Sequence, residues 1–302
     1  MSWTSAPSSG GDAQLDPPRS AVLEAVRRAL DEDLLPLGDL TAALVPPGAA
    51  ATVDIVSRAS GVIAGRACAI ATFAEIDPGL EVSWKLGDGD EVSPGDVVAV
   101  VSGSLRSILT AERTALNFLC HLSGVASLTR RYVDAVRGSD RGTRILDTRK
   151  TTPGLRSLEK AAVRAGGGHN HRGNLSDAVL IKDNHLGGVG ITDAVARAKA
   201  LWPGRMVEVE CDRPDQVVEA AAAGATVIML DNMGPDQVAE CVALVQSSGS
   251  GALVEVSGGV TLERVAALAA AGADVISVGA ITHSAPVLDL GFDLPPAPAR
   301  VP

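Results

Sequence analysis

Apolar positions change their spacing along the chain, and each change predicts an element. Val22, Leu23, Val26 and Leu30 recur at helical spacing, which predicts an amphipathic helix over 20–35 with Ser20 as its cap. Residues 51–65 (ATVDIVSRASGVIAG) alternate apolar and polar, as a strand pair around a glycine-containing turn does. Residues 80–103 (LEVSWKLGDGDEVSPGDVVAVVSG) predict two or three more short strands, turning at 87–89 and 94–95. Asp88 and Asp90 fall in the first of these turns and are expected to be solvated, since the remaining ligand positions of a calcium loop are missing. The period then becomes helical over 104–137, where Gly124 is expected to divide two helices, and Arg113 and Asn117 share one face.

Beyond this helical stretch, short β-branched runs alternate with alanine-rich helical ones. The runs are 143–146 (TRIL), 178–181 (AVLI), 206–210 (MVEVE), 226–230 (TVIML), 252–256 (ALVEV) and 274–278 (DVISV). Such alternation implies parallel strands with right-handed crossovers. Six strands, seven at most, are too few for a closed eight-stranded barrel, so an open, incomplete α/β barrel is expected. Every run ends on polar residues or glycine: Asp147, Lys182, Glu210, Asp231, Ser257, Gly279. Barrel enzymes keep their active sites at this end of their strands. The expected organisation is a disordered tail (1–18), an α/β sandwich domain with its helical connection (19–137), a barrel domain (138–284), and a strand returning to the first domain before a disordered end (285–302). The first domain resembles the barrel-sandwich fold of biotinyl and lipoyl carriers. Neither turn holds the lysine that a carrier would need.

Composition narrows the function. The 302 residues are 46% hydrophobic but only 2% aromatic, so aliphatic side chains must fill the cores. The formal net charge is -10, and no basic stripe interleaved with aromatics is present, which argues against nucleic acid as partner. No apolar run is long enough to span a bilayer. The opening residues have neither a basic start nor an apolar run, and the four cysteines are scattered, so a reduced cytoplasmic protein is expected.

Against this acidic background, residues 147–185 concentrate cations, among them Arg149, Lys150, Arg172 and Lys182, with His169, His171 and His185. Arg149, Lys150, His171, Arg172 and Lys182 suit the carboxylates or phosphates of a small anion. Glu210 and Asp231 suit ribose hydroxyls, or a hydrated Mg2+ shared with phosphate oxygens. Ser257-Gly258-Gly259 and Gly279-Ala280 can bring backbone N–H groups to a phosphate. Glu208 shares the face of Glu210 and is expected to neutralise a lysine such as Lys150 or Lys182. The surrounding cations argue against a metal on the histidines, and His185 suits a structural hydrogen bond as well as a catalytic role.

At these residues the sequence resembles the quinolinate phosphoribosyltransferase family from about 30 to 294. The specific matches are ERTALNFL, DTRKTTPGLR, GGGHNHRGNLSD followed by VLIKDNH, VEVE, MLDNM, SGG and SVGAITHSA, with GDLT and GVIAG earlier. The resemblance implies transfer of phosphoribosyl from 5-phosphoribosyl-1-pyrophosphate to the nitrogen of quinolinate with loss of CO2, a step of de novo NAD biosynthesis, accompanied by Mg2+. It implies that Thr148, Arg149, Lys150, His171, Arg172 and Lys182 hold quinolinate, with Arg113 contributed across a homodimer interface. Lys150, Glu210 and Asp231 then serve the donor, with Ser257, Gly258, Gly259, Val278, Gly279 and Ala280 at its 5-phosphate. Lys150, Lys182, Glu210 and Asp231 are the implied catalytic set. A related transferase acting on nicotinate, or on another small anion, is the alternative. Cys120-His121 and Gly291-Phe292 depart from the family pattern.

Overall fold

The structure is a computed structural model that describes residues 16–182, 184 and 187–293. Most of the two expected disordered ends, and His185, lie outside the described residues. The chain forms two compact units. The first takes the described parts of Met1–Leu128, Thr152–Gly167 and Ser284–Pro302; the second takes Thr129–Thr151 and Gly168–His283. The sequence pattern predicts boundaries at 137/138 and 284/285, with the chain end returning to the first domain. The helix Arg156–Ala165, expected in the barrel domain, belongs to the first unit.

In the first unit, β1 (Ala50–Ser57), β3 (Glu81–Trp84), β5 (Val97–Ser104) and β12 (Leu290–Asp293) form an antiparallel sheet in the order β12-β1-β5-β3. The short strands β2 (Gly61–Val62) and β4 (Glu91–Val92) pair separately. The expected return of the chain end is present as β12 on β1. Period-two alternation in β1 buries Val53 and Ile55 and turns Thr52 and Asp54 outward. Helix α1 spans Arg19–Leu34, so Ser20 lies inside its first turn; Pro18 precedes it and no side chain caps it. Helix α2 (Arg66–Ile76) receives a carboxylate at its N-terminus. Asp88 accepts from the amides of Gly65 (3.2 Å) and Arg66 (3.1 Å), so it is not the solvated turn residue expected. Burial pushes its carboxyl up to about 6.

Helix α3 runs unbroken over Leu105–Ala135, which corrects the expected division at Gly124. The glycine serves close approach instead. A Cβ there would overlap the carbonyl oxygen of Pro286, a backbone atom that cannot swing aside. Gly124→Ala is therefore expected to destabilise the fold by about 2–3 kcal/mol, as overpacking does. A lowered urea midpoint checks this; an unchanged midpoint contradicts it. Ile108, Ala111, Ala115, Leu116 and Leu119 of α3 close the first core against Val53, Ile55 and Ile63.

The second unit is a six-stranded, all-parallel sheet: β6 (Arg144–Leu146), β7 (Val179–Ile181), β8 (Val207–Cys211), β9 (Val227–Asp231), β10 (Leu253–Ser257) and β11 (Val275–Ser277). Its order is β6-β11-β10-β9-β8-β7, a barrel sequence left open between β6 and β7. Two of the helices between the strands start alike. Pro214 and Pro235 occupy their first turns, and the Gln216 and Gln237 side chains accept backbone N–H groups just before them. Gly224 and Gly249 close them in left-handed conformation. Val209, Ile228, Leu230 and Leu268 are essentially fully buried, the aliphatic core that the composition required.

Candidate active site

The open seam of the barrel is filled by the histidine segment. His169 makes a parallel bridge to Leu146 on the free edge of β6, through His169 N to Ile145 O (2.8 Å) and Asp147 N to His169 O (3.1 Å). Asp147, fully buried at the end of β6, holds the two residues after His169. Its Oδ1 accepts from the His171 amide (2.9 Å) and its Oδ2 from Asn170 Nδ2 (2.6 Å). Arg172 Nη1 donates to Ala178 O (3.1 Å), on the residue that precedes β7. The segment thus spans the seam from one edge strand to the other.

The histidine ring points into the barrel. His171 Nε2 lies 3.1 Å from Glu208 Oε2 and 3.4 Å from Glu255 Oε2. The contacts are ionic rather than in-line hydrogen bonds. Both Glu208 oxygens and Glu255 Oε1 are buried without a hydrogen-bond partner among the described residues. Burial disfavours charge on His171, but Glu208 and Glu255 outweigh it and hold the imidazolium up to about 10. Burial also lowers Arg172, as does the neighbouring Arg149; Glu208 opposes both. His171 and Arg172 therefore both meet the buried Glu208, with Arg149 near Arg172. The imidazole and two glutamates are also close enough together to hold a metal ion. The neighbouring guanidinium of Arg172 makes an anion the better-matched ligand.

The sign of the His171 shift gives a testable pH dependence. A folded-state value raised above 6.5 contributes stability that is complete below 6.5 and lost as pH rises through about 10. The unaltered protein is expected to lose urea stability across that window more steeply than His171→Gln. Equal slopes contradict this.

The remaining candidates stand on neighbouring strand ends. Lys182, just past β7, pairs with Glu210 on β8. Glu208 meets His171 instead of a lysine, which corrects the expected partner. Asp231 ends β9, and its Oδ2 accepts from Asn232 Nδ2 (2.8 Å). Asn232 is left-handed (φ 57°) and donates its backbone N–H to Ser257 O (2.9 Å), joining the β9 and β10 ends. Gly258 (φ 86°) packs so closely here that a Cβ would overlap the Asn232 side chain. Val278 is buried and donates to Leu146 O (2.9 Å), which sets Gly279 and Ala280 beside β6. A Cβ on Gly279 would lie 3.2 Å from the Lys150 Cδ. Lys150 is anchored through its main chain, by Thr282 Oγ1 to its O (2.7 Å) and by its N to Thr148 Oγ1 (3.0 Å). Its side chain is exposed, while Thr148 and Arg149 are half-buried.

Arg113 is exposed on α3 in the first unit, and Asn117 is exposed one turn on. His169 is exposed and takes no part in the cluster. Sequence reasoning placed Asp147 at a strand end without its anchoring role, and missed Asn170, Thr282 and Glu255 as parts of the site. For Glu255 a signal existed: a carboxylate in the middle of the apolar run 252–256 has to meet a cation.

Cations, carboxylates and glycine loops stand together at the strand ends of a parallel α/β barrel, a set of groups suited to an enzyme of anionic small molecules. Comparison with known proteins narrows this. Residues 39–123 match the quinolinate phosphoribosyl transferase N-terminal domain and residues 125–293 its C-terminal domain. The chain belongs to the quinolinate phosphoribosyl transferase family. It is 43% identical over 278 residues to the nicotinate-nucleotide pyrophosphorylase [carboxylating] of Mycobacterium leprae, covering 91% of this chain and 97% of that one. It is 39% identical to the quinolinate phosphoribosyltransferase [decarboxylating] 2b, mitochondrial, of Nicotiana tabacum, covering 90% and 81%. The solved nicotinate-nucleotide pyrophosphorylase from Francisella tularensis superposes with a TM-score of 0.87 at 38% identity, covering 93% and 98%.

Proposed function

We propose that this chain transfers phosphoribosyl from 5-phosphoribosyl-1-pyrophosphate to the ring nitrogen of quinolinate and releases CO2, pyrophosphate and nicotinate mononucleotide. The observation that carries the reading is Glu208 meeting both His171 and Arg172, with Arg149 near Arg172 and with the Lys182–Glu210 pair at the same strand end of β8. That many fixed cations suit a dicarboxylate; nicotinate, with one carboxylate, needs fewer. The names of the relatives support the same reaction.

The chemistry rests on these groups. As the bond from the ribosyl carbon to pyrophosphate breaks, positive charge grows on the sugar and negative charge on the leaving group. Glu210 and Asp231 favour the first; Lys150 and Lys182 favour the second. The pyridine nitrogen is itself the nucleophile, so the protein's task is to position it. Once alkylated, the ring nitrogen is cationic. It stabilises the carbanion left when the adjacent carboxylate departs as CO2, and that carbon then takes a proton.

Glu210 and Asp231 also fit a Mg2+ ion. Both present carboxylate oxygens at adjacent strand ends, and Mg2+ is commonly held by one or two carboxylates together with water and substrate phosphates. Bound there, it would neutralise charge on the pyrophosphate. Arg113 is read as completing the acceptor pocket of a second copy in a homodimer, on the strength of its exposure on α3. The free cysteines suit the cytoplasm. Among the described residues, no helix is long and apolar enough to cross a membrane.

The test is direct. Purified protein with quinolinate, phosphoribosyl pyrophosphate and Mg2+ is expected to yield CO2 and nicotinate mononucleotide in equal amounts. Absence of both overturns the reading.

A further inference from the structure

We infer that Glu208 and Glu255 are positioning residues for the acceptor: they seat the His171 ring from within the barrel and fix the edge it turns toward the acceptor's carboxylate. The inference rests on the quinolinate reading and adds two residues to it.

Geometry carries the case. Glu208 stands on β8 and Glu255 on β10, with β9 between them. Inward side chains of alternate barrel strands share a layer, so these two glutamates meet across the interior. Each lies one inward position before a strand-end residue of the site, Glu210 and Ser257. They are 0% and 2% exposed. A carboxylate so far from water is costly unless a cation or hydrogen bonds compensate it. Hydrogen bonds do not: three of the four oxygens lack a hydrogen-bond partner among the described residues. Both glutamates instead approach one atom, His171 Nε2. Among the described residues, neither side chain caps a helix or closes a turn.

The His171 main chain is fixed separately, by its amide on Asp147 Oδ1 (2.9 Å). Asp147 therefore sets where the residue is, and the glutamates set how its ring is turned. Two carboxylates overbalance one imidazolium, and Arg172 nearby contributes further positive charge. The cluster thus joins two acceptor-side groups, His171 and Arg172, to the barrel interior. If either glutamate is removed, the ring loses a contact that aims it.

A double-mutant cycle tests this, because coupled residues are not additive. In Glu255→Gln, and separately in Glu208→Gln, KM for quinolinate is expected to rise about tenfold, the lower bound seen when the outer partner of a ligating imidazole is removed. KM for phosphoribosyl pyrophosphate is expected to stay unchanged. In a His171→Ala background the same substitutions are expected to have no further effect on KM for quinolinate. Effects that add in that background, or that fall equally on both substrates, overturn the proposal. If a glutamine variant does not fold, Glu255→Asp keeps the charge one methylene shorter and is read through the same cycle. An unaltered protein that does not turn over quinolinate overturns both readings; one that does, with Glu255→Gln indistinguishable from it, overturns this one alone.

Discussion

Lys150→Ala is expected to lower kcat by about 10²–10³-fold, the loss typical when one preorganised charge-stabilising group is removed. The residue is built for this role. Thr282 grips its carbonyl, Thr148 its amide, and its stem lies beside Gly279, where no side chain competes for space. The main chain is immobilised while the ammonium stays exposed. Stability should move within about 0.5 kcal/mol, as for a surface substitution away from packing. A Lys150→Ala protein that unfolds at lower urea in proportion to its loss of activity contradicts the assignment. The same variant probes the proposed dimer. Mixed with an Arg113→Ala protein under conditions of demonstrated subunit exchange, it should regain activity, because one hybrid site then carries both residues. No recovery argues against a shared site.

Asp147→Ala is expected to be the most destabilising of these substitutions. Asp147 is fully buried and accepts from the His171 amide and the Asn170 side chain. Hydrogen bonds to a charged group contribute about 1.5–3 kcal/mol each, so losing both should cost roughly 3–6 kcal/mol. That is a large share of the roughly 5–15 kcal/mol by which a domain is stable. The loss should also release the segment across the β6–β7 seam, so KM for quinolinate should rise in whatever fraction remains folded. Urea unfolding with a parallel kinetic assay checks both. A variant as stable as the parent, with unchanged KM, contradicts the role given to this carboxylate.

Much of the fold is legible in the chain. The six β-branched runs are six strands with limits shifted by one residue or so, because continuous apolar runs between helical segments have few other solutions. Polar strand ends at Asp147, Lys182, Glu210, Asp231, Ser257 and Gly279 are legible for the same reason. Partner choice is not. Period-two alternation shows that Glu208 and Glu210 share a face, but not which element faces each of them. That depends on how strands tilt around the barrel and on a loop that dips into the seam. The pattern therefore suggests a lysine for Glu208, whereas it meets His171. Gly124 looks like a helix break because the sequence shows its lack of a side chain and not the Pro286 carbonyl that needs the space. Asp88 looks solvated because its partners, the amides before α2, lie more than twenty residues away in sequence. The helix Arg156–Ala165 joins the first unit although barrel strands flank it in sequence, a crossing that local patterns do not encode.

We read the cations at the barrel seam as a pocket for a pyridine dicarboxylate. The ratio of kcat/KM for quinolinate to that for nicotinate, measured with phosphoribosyl pyrophosphate and Mg2+ in both cases, tests it most directly. A site whose cations are matched to two carboxylates should reject the analogue lacking one by about 10⁴-fold, as sites built to bond a polar group do. That preference for quinolinate, with CO2 formed in step with nucleotide, is the predicted result. Comparable use of the two substrates, or preference for nicotinate, would contradict the account.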